Sequence, residues 1–362
     1  MKKWQSYKNL GDVVTIIMGQ SPSSDTYNDK EGLPFFQGNA DFGKEHPTVR
    51  VFCNSPIRIA EPNDILISVR APIGAINIAD RQCCIGRGLA AIRGANSVSN
   101  RFLYFFLTAS KNTLISQGTG STFKSIGKDA LKNLQMPVFN LNEQERIVSE
   151  LDLLAGIIDK QKQQLKELDT LAQSIFYDMF GNPEENTKCW RTEKFQTICT
   201  SLFAGGDVPK DNYSETKSET YNVPILSNGV GDKAVYGYTN KARVFDECIT
   251  ISGRGTIGYC EVRSEPFFPV VRLIVAVPNK DILLPIVLKY IVDSLHLHGV
   301  GVAIPQLTIP MVKNVSIILP SMEMQCLFAK IIQSVESQKK SINRSIAESQ
   351  KLFDYTMDKY FG

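Results

Sequence analysis

From residue 147 to residue 179, apolar side chains recur at alternating spacings of four and three. The positions read Ile147, Leu151, Leu154, Ile158, Gln161, Leu165, Leu168, Ala172, Ile175 and Met179, with Gln161 the single polar member. A 4-3 alternation held over this length predicts a coiled-coil seam. Moved 181 residues along, the same positions hold Phe328, Ile332, Val335, Lys339, Ile342, Ile346, Ser349, Phe353, Thr356 and Tyr360, a weaker seam in the same register. Asn142 with Glu145 predicts a capping box at the start of the first helix, and Ser321 after Pro320 caps the second. Gly181, ahead of Asn182-Pro183, stops the first. Helices of roughly 37 residues run on the order of 55 Å. A small domain cannot cover such a rod, so the two are expected to pack together, and the domain between them in sequence makes that pairing antiparallel. Aligned about the helix midpoints, Lys339 falls near Glu167, which eases the cost of a charge in the seam.

The seam is one part of a longer repetition. Phe180-Gly181 recurs as Phe361-Gly362, and at the same displacement Gln144 falls on Gln325 and Lys132-Asn133 on Lys313-Asn314. Farther upstream, Ile67-Ser68 with Arg70 and Gly74 matches Ile251-Ser252 with Arg254 and Gly258, and Trp4 with Lys8 matches Trp190 with Lys194. The landmarks keep one order, so the chain is a single unit written twice. Each copy opens with short β-branched runs bounded by Pro, Gly and Asn. These are Asp64 to Val69 and Gly74 to Ile78 in the first, and Cys248 to Ser252, Ile257 to Val262 and Val270 to Val277 in the second, where an amphipathic run from Ile282 to Leu295 follows. They read as strands of a mixed sheet. The expected fold class is α+β: two pseudo-repeated α/β domains, residues 1–141 and 182–320, separated by two long antiparallel coiled-coil helices, residues 142–181 and 321–362, in a pseudo-twofold arrangement.

Composition narrows the function. The chain is 43% apolar and 21% charged, ordinary for a globular protein. The Lys2-Lys3 start runs into polar residues, and the apolar stretch Ile282 to Val292 is broken by Pro285 and Lys289, so a cytoplasmic location is expected. Eight cysteines lack any CxxC spacing and read as buried free thiols, and His296 with His298 has no companion ligand, so a metal site is not expected. Net charge is +3, unevenly spread: residues 1–140 carry 16 Lys/Arg against 10 Asp/Glu, whereas 182–320 carry 14 of each. A phosphate-tracking surface suits the first segment; the second would need its cations gathered on one face.

Reactive motifs are missing. No Asn/Asp-Pro-Pro-Tyr/Phe occurs, Gly118-Thr119-Gly120 lacks the third glycine of a dinucleotide fingerprint, and Gly127-Lys128 leads into Asp129 where a phosphate-binding loop needs Ser or Thr. The expectation is a chain without catalytic residues or cofactor of its own.

The layout resembles the specificity (S) subunits of type I restriction-modification systems, with the specificity subunits of type IIB systems as the alternative and a coiled-coil scaffold that reads no DNA as a further one. The resemblance is carried by Trp4 with Lys8 to Asp12, the Gly19 to Ser23 loop, Ile67 to Arg70 leading to Gly74, the Gly118 to Thr122 loop, and Asn142-Glu-Gln-Glu-Arg-Ile147 opening a long helix that ends in Phe-Gly. The second copy keeps only Gln325 of that helix start. The resemblance implies that each α/β part is a target-recognition domain reading one half of an asymmetric bipartite site in double-stranded DNA. It further implies that the helices set the spacing and dock two methyltransferase (M) subunits that methylate adenine. S-adenosylmethionine would then belong to M, and ATP and Mg to restriction (R) subunits where these join.

Readers of base edges must be polar, exposed and loop-borne, with Arg suited to guanine and Asn or Gln to adenine. The candidates are Gln37, Asn39, Arg70, Arg87, Ser121, Thr122 and Lys124 in the first copy and Ser227, Asn228, Lys233, Arg254, Arg272 and Gln306 in the second. Arg70 and Arg254, repeated at one place, suit a phosphate contact; the structural alternative is a salt bridge closing the strand-turn-strand. Phe35-Phe36 and Phe102 to Phe106 read as core. For helix pairing and partner contact the candidates are Ile147, Leu151, Leu154, Leu165, Leu168, Ile332, Val335, Ile342 and Ile346.

Overall fold

The computed structural model describes residues 6–120, 124–209, 211–299 and 305–362. The chain forms two compact units: residues 1–162 with 344–362, and residues 163–343. Both boundaries fall inside the two long helices, Leu141–Phe180 and Met322–Phe361, each of 40 residues.

The first unit is built on a four-stranded antiparallel sheet in the order Val14–Met18, Leu89–Gly94, Ile65–Ser68, Ile76–Ile78. Ile65–Ser68 is buried along its whole length, as expected of a strand covered on both faces. One face meets the helix Asn100–Ala109, whose Phe102, Leu103, Phe105 and Phe106 lie in the core. The other meets a smaller cluster around Phe36, Ala60 and Ile85, on a five-stranded sheet where Leu33–Phe36 runs parallel to Cys83–Ile85. Tyr7–Asn9 pairs with Gln135–Pro137 just before the first long helix.

The second unit repeats this plan. Its four-stranded sheet runs Cys199–Ala204, Ile274–Pro278, Cys248–Ile251, Cys260–Arg263, and Arg191–Lys194 pairs with Ser316–Leu319 before the second long helix. The helix Pro285–Ser294 takes the place of Asn100–Ala109, burying Val287, Leu288 and Ile291. Pro285 lies in its first turn, where a missing N–H costs nothing, so the helix starts later than the apolar run from Ile282 suggests. In place of the five-stranded sheet stands a three-stranded one, with Val223–Leu226 parallel to Phe268–Pro269.

Within each unit the long-helix segments pack antiparallel. In the first, the Tyr360 hydroxyl donates to Glu150 Oε2 at 2.8 Å, and farther along Gln161 Nε2 donates to Ser345 Oγ at 2.8 Å. In the second, Phe328 meets Phe176 and Phe180 edge-on, and Lys339 binds Asp169 at 2.7 Å. All ten seam positions of each helix are buried or half-buried. Ile147, Leu151, Ile332 and Val335 are buried; Leu154, Leu165, Leu168, Ile342 and Ile346 are half-buried.

Three sequence expectations, and the structural alternative for Arg254, need correction. The capping box of the first long helix is Asn140 with Glu143, not Asn142 with Glu145: Asn140 Oδ1 accepts from Glu143 N at 2.9 Å and Glu143 Oε2 from Asn140 N at 3.0 Å. The seam lysine Lys339 reaches Asp169 and, on its own helix, Glu336 at 2.8 Å, rather than Glu167, because its flexible stem takes the nearest carboxylates flanking the seam. Cys189 and Cys326 are exposed, and Cys199 is half-buried, so the thiols are not uniformly buried. Arg254 closes its turn on the neutral amide of Gln306, Nη2 to Oε1 at 3.0 Å, not on a carboxylate.

Two other expectations match the observed geometry. Ser321 Oγ accepts from Met324 N at 3.4 Å at the start of the second helix, and Gly181, at φ +76, ends the first.

Candidate nucleic-acid interface

In the first unit the candidates converge. Gln37, Asn39, Arg70 and Arg87 line one open hollow of about 170 Å³ together with Gly38, Ala71 and Gly88. Three segments meet there. The chain leaving Leu33–Phe36 brings Gln37 and Asn39, the end of Ile65–Ser68 brings Arg70, and the turn before Leu89–Gly94 brings Arg87.

Each segment is held through its backbone, and Gln37, Arg70 and Arg87 are exposed. Asp41 Oδ2 accepts from the backbone N–H groups of Gln37 at 2.8 Å and Gly38 at 3.4 Å, fixing the first loop. Ser21 Oγ accepts from Arg87 N at 3.2 Å, so the Gly19 to Ser23 loop seats the turn that carries Arg87. Glycine at 88 is a steric requirement, because a Cβ there would lie 2.3 Å from the Gln37 carbonyl oxygen. Lys124 is exposed nearby and its carbonyl accepts from Ala71 N at 3.2 Å. Ser121 and Thr122 lie outside the described residues. Asp41 and Ser21 were not among the sequence candidates; the only signal for Ser21 was its place in the Gly19 to Ser23 loop.

The second unit assembles the corresponding place. Asn228 bridges two turns, accepting at Oδ1 from Gly253 N and donating from Nδ2 to the Val271 carbonyl, both at 2.7 Å. Both ends of its amide are thereby committed to backbone. Arg254 and Gln306 pair beside it, and Arg272 follows Val271 on an exposed turn. Ser227 is half-buried and its N–H donates to Ala234 O at 2.8 Å; Lys233 is exposed on the short helical turn Gly231–Ala234. Matching bonds set the correspondence: Ile126 N donates to Val69 O as Leu307 N does to Gly253 O, each at 2.9 Å. Arg70 and Arg254 therefore leave the same strand end in the two units.

Elsewhere, a hollow of about 300 Å³ beside Asp293 is lined by His296 and His298. Among the described residues no group of three or more His, Cys, Asp or Glu is placed to hold a metal ion. Also among them, no helix is long and apolar enough to cross a membrane. Burial pushes the Cys83, Cys199 and Cys248 thiols up to about 12 and Cys84 up to about 11, far from a reactive thiolate.

Comparison with known proteins places this geometry. The family profile described as type I restriction modification DNA specificity domain matches residues 1–170 and again 188–349. A putative type I restriction enzyme specificity subunit of Methanocaldococcus jannaschii is 39% identical over 162 residues, 44% of this chain, and the chain spans 38% of that relative's length. A second specificity subunit from the same organism is 22% identical over 403 aligned positions, covering 99% of this chain and 92% of its own. In fold, the chain is similar to the crystal structure of a type I restriction-modification system S subunit from M. genitalium, with a TM-score of 0.60 over 100% of this chain and 97% of that one at 16% identity.

Proposed function

The chain belongs to the family of type I restriction-modification DNA specificity domains, and from that premise we propose that it is the non-catalytic DNA-reading subunit of a methyltransferase assembly. Each unit takes one half of an asymmetric bipartite site in double-stranded DNA, and the paired helices set the spacing and dock two M subunits that methylate adenine. S-adenosylmethionine is bound by M; ATP and Mg belong to R subunits where the assembly includes them.

The observation that supports this most is the gathering of Gln37, Asn39, Arg70 and Arg87 on one open hollow. Loops far apart in sequence deliver hydrogen-bonding groups suited to guanine and adenine edges, on a rigid sheet, with no buried acid or nucleophile among them. At the same strand end the second unit carries different residues, Arg254 paired with Gln306 and the exposed Arg272, which suits two unlike half-sites. Arg70 and Arg254, alike in both, fit a contact to phosphate, which every sequence offers.

The test is to produce the chain with an adenine methyltransferase partner and map methylated adenines on a randomised DNA library. A two-part motif is expected, of which one half alone changes when residues 1–140 are exchanged for those of a relative. A motif indifferent to that exchange, or methyl transfer by the chain alone, would overturn the reading.

A further inference from the structure

One tight turn stands at the edge of the candidate interface in each unit, and the two units fill it differently. In the first, Leu89 N donates to Gly86 O, so Arg87 and Gly88 form the tip; in the second, Leu273 N donates to Val270 O, so Val271 and Arg272 form it, each bond being 3.0 Å. The neighbours agree. Gly19 N meets Leu89 O as Gly205 N meets Leu273 O, and Gly86 N meets Phe36 O as Val270 N meets Leu226 O. Arg87 and Val271 thus occupy one topological position, and both are exposed.

Valine is a poor choice for that position on backbone grounds. Val271 has φ 51 and Arg272 φ 60, in the left-handed region that a β-branched side chain resists. The turn is nevertheless pinned. Val271 N donates to Gly206 O at 2.9 Å, Arg272 N to Gly205 O at 3.1 Å, and the Val271 carbonyl accepts from Asn228 at 2.7 Å. The side chain held this way is 39% exposed, so the core does not account for it. It stands beside Asn228, whose other amide end binds the residue preceding Arg254.

We propose that this turn sets base identity in each half-site: Val271 reads the 5-methyl group of a thymine in the half taken by the second unit, where Arg87 reads a guanine in the half taken by the first. This rests on the DNA-reading role proposed above. Thymine alone among the bases carries an apolar group on its major-groove edge, and an exposed isopropyl group can recognise nothing else there. The guanine edge offers two acceptors that a guanidinium spans.

The experiment uses the full chain with its methyltransferase partner and duplexes carrying the mapped motif, in which each thymine of the second half is replaced in turn by deoxyuridine, removing only the methyl group. One replacement is expected to slow methylation about 3- to 5-fold, the worth of one buried methyl. Val271→Gly should abolish that sensitivity without lowering the melting temperature, since glycine adopts φ 51 freely. The assignment fails if that half contains no thymine, if every replacement is silent, or if Val271→Gly remains sensitive. If exchanging residues 182–320 leaves the motif unchanged, the DNA-reading role falls and takes this inference with it. If the exchange moves the motif and the replacements are silent, only the role of Val271 falls.

Discussion

Gln144 and Gln325 make the same three hydrogen bonds in their respective units. Gln144 Oε1 accepts from Ser99 N at 2.9 Å while its Nε2 donates to the carbonyls of Ser97 and Phe139; Gln325 Oε1 accepts from Leu284 N at 2.9 Å while its Nε2 donates to those of Ile282 and Pro320. Each glutamine is buried, and each ties the start of a long helix to the segment that opens a core helix. Replacing either by leucine strands a partly buried N–H and two carbonyls. The expected loss is about 2–4 kcal/mol, at roughly 1 kcal/mol per bond with the desolvation cost added, read by chemical denaturation. A loss below about 1 kcal/mol would mean that water replaces the amide.

Asp64 is 1% exposed and holds Arg93 through two bonds of 2.6 and 2.7 Å, while also accepting from Glu61 N at 2.8 Å. Arg93→Ala leaves that carboxylate buried without its cation. Because the arginine side chain is 39% exposed, solvent screens part of the effect, and the expected cost is about 2–3 kcal/mol, less than for a fully buried pair. The double variant with Asp64→Val should recover part of the loss in a double-mutant cycle.

Burial alone would lower the Lys339 ammonium, but its bonds to Asp169 and Glu336 outweigh that and hold it up to about 12. A raised pKa contributes stability below the unfolded value of about 10.4 and loses it as pH climbs through the folded value. Denaturation midpoints should therefore show a Lys339-dependent fall only between about pH 10.4 and 12, absent from Lys339→Met. At pH 7 that variant should be mildly destabilising, since the bonds to Asp169 and Glu336 that it loses outweigh the desolvation that methionine avoids.

Burial holds the Cys83, Cys84, Cys199, Cys248 and Cys260 thiols protonated at neutral pH. Alkylation of the native protein at pH 8, followed by mass spectrometry, should label Cys189 and Cys326 quickly, and the others only after denaturant is added. Fast labelling of Cys83 or Cys260 would show that the sheets open locally.

The helices were legible because their code is local: a 4-3 alternation survives whatever lies beyond the seam, and every seam position turns inward. The exact start was not. Asn140 to Glu145 contains two overlapping Asn-x-x-Glu boxes, and the choice falls to the one that lets Gln144 reach the Phe139 carbonyl, a tertiary constraint. Repetition exposed the paired arginines, and Phe35, Phe36, Phe102, Phe105 and Phe106 are core, as read. What stayed hidden depends on contacts across long stretches of chain. Nothing local marks Asp64 as the partner of Arg93, 29 residues on, or Ser21 as the seat of Arg87, 66 residues on. Nor could periodicity reveal that Asn228 spends its amide on two turns.

The unit boundaries inside the helices carry a consequence for synthesis. Residues 163–343 are contiguous, so the second unit has all its parts as soon as that stretch clears the ribosome. The first does not, because Met357 and Tyr360 belong to its core and Phe353 and Phe361 pack against that core. The unit begun first is therefore completed only after the second, its apolar face waiting on residues 353–361, and loss of that segment would strike the unit built mainly from residues 1–162 first.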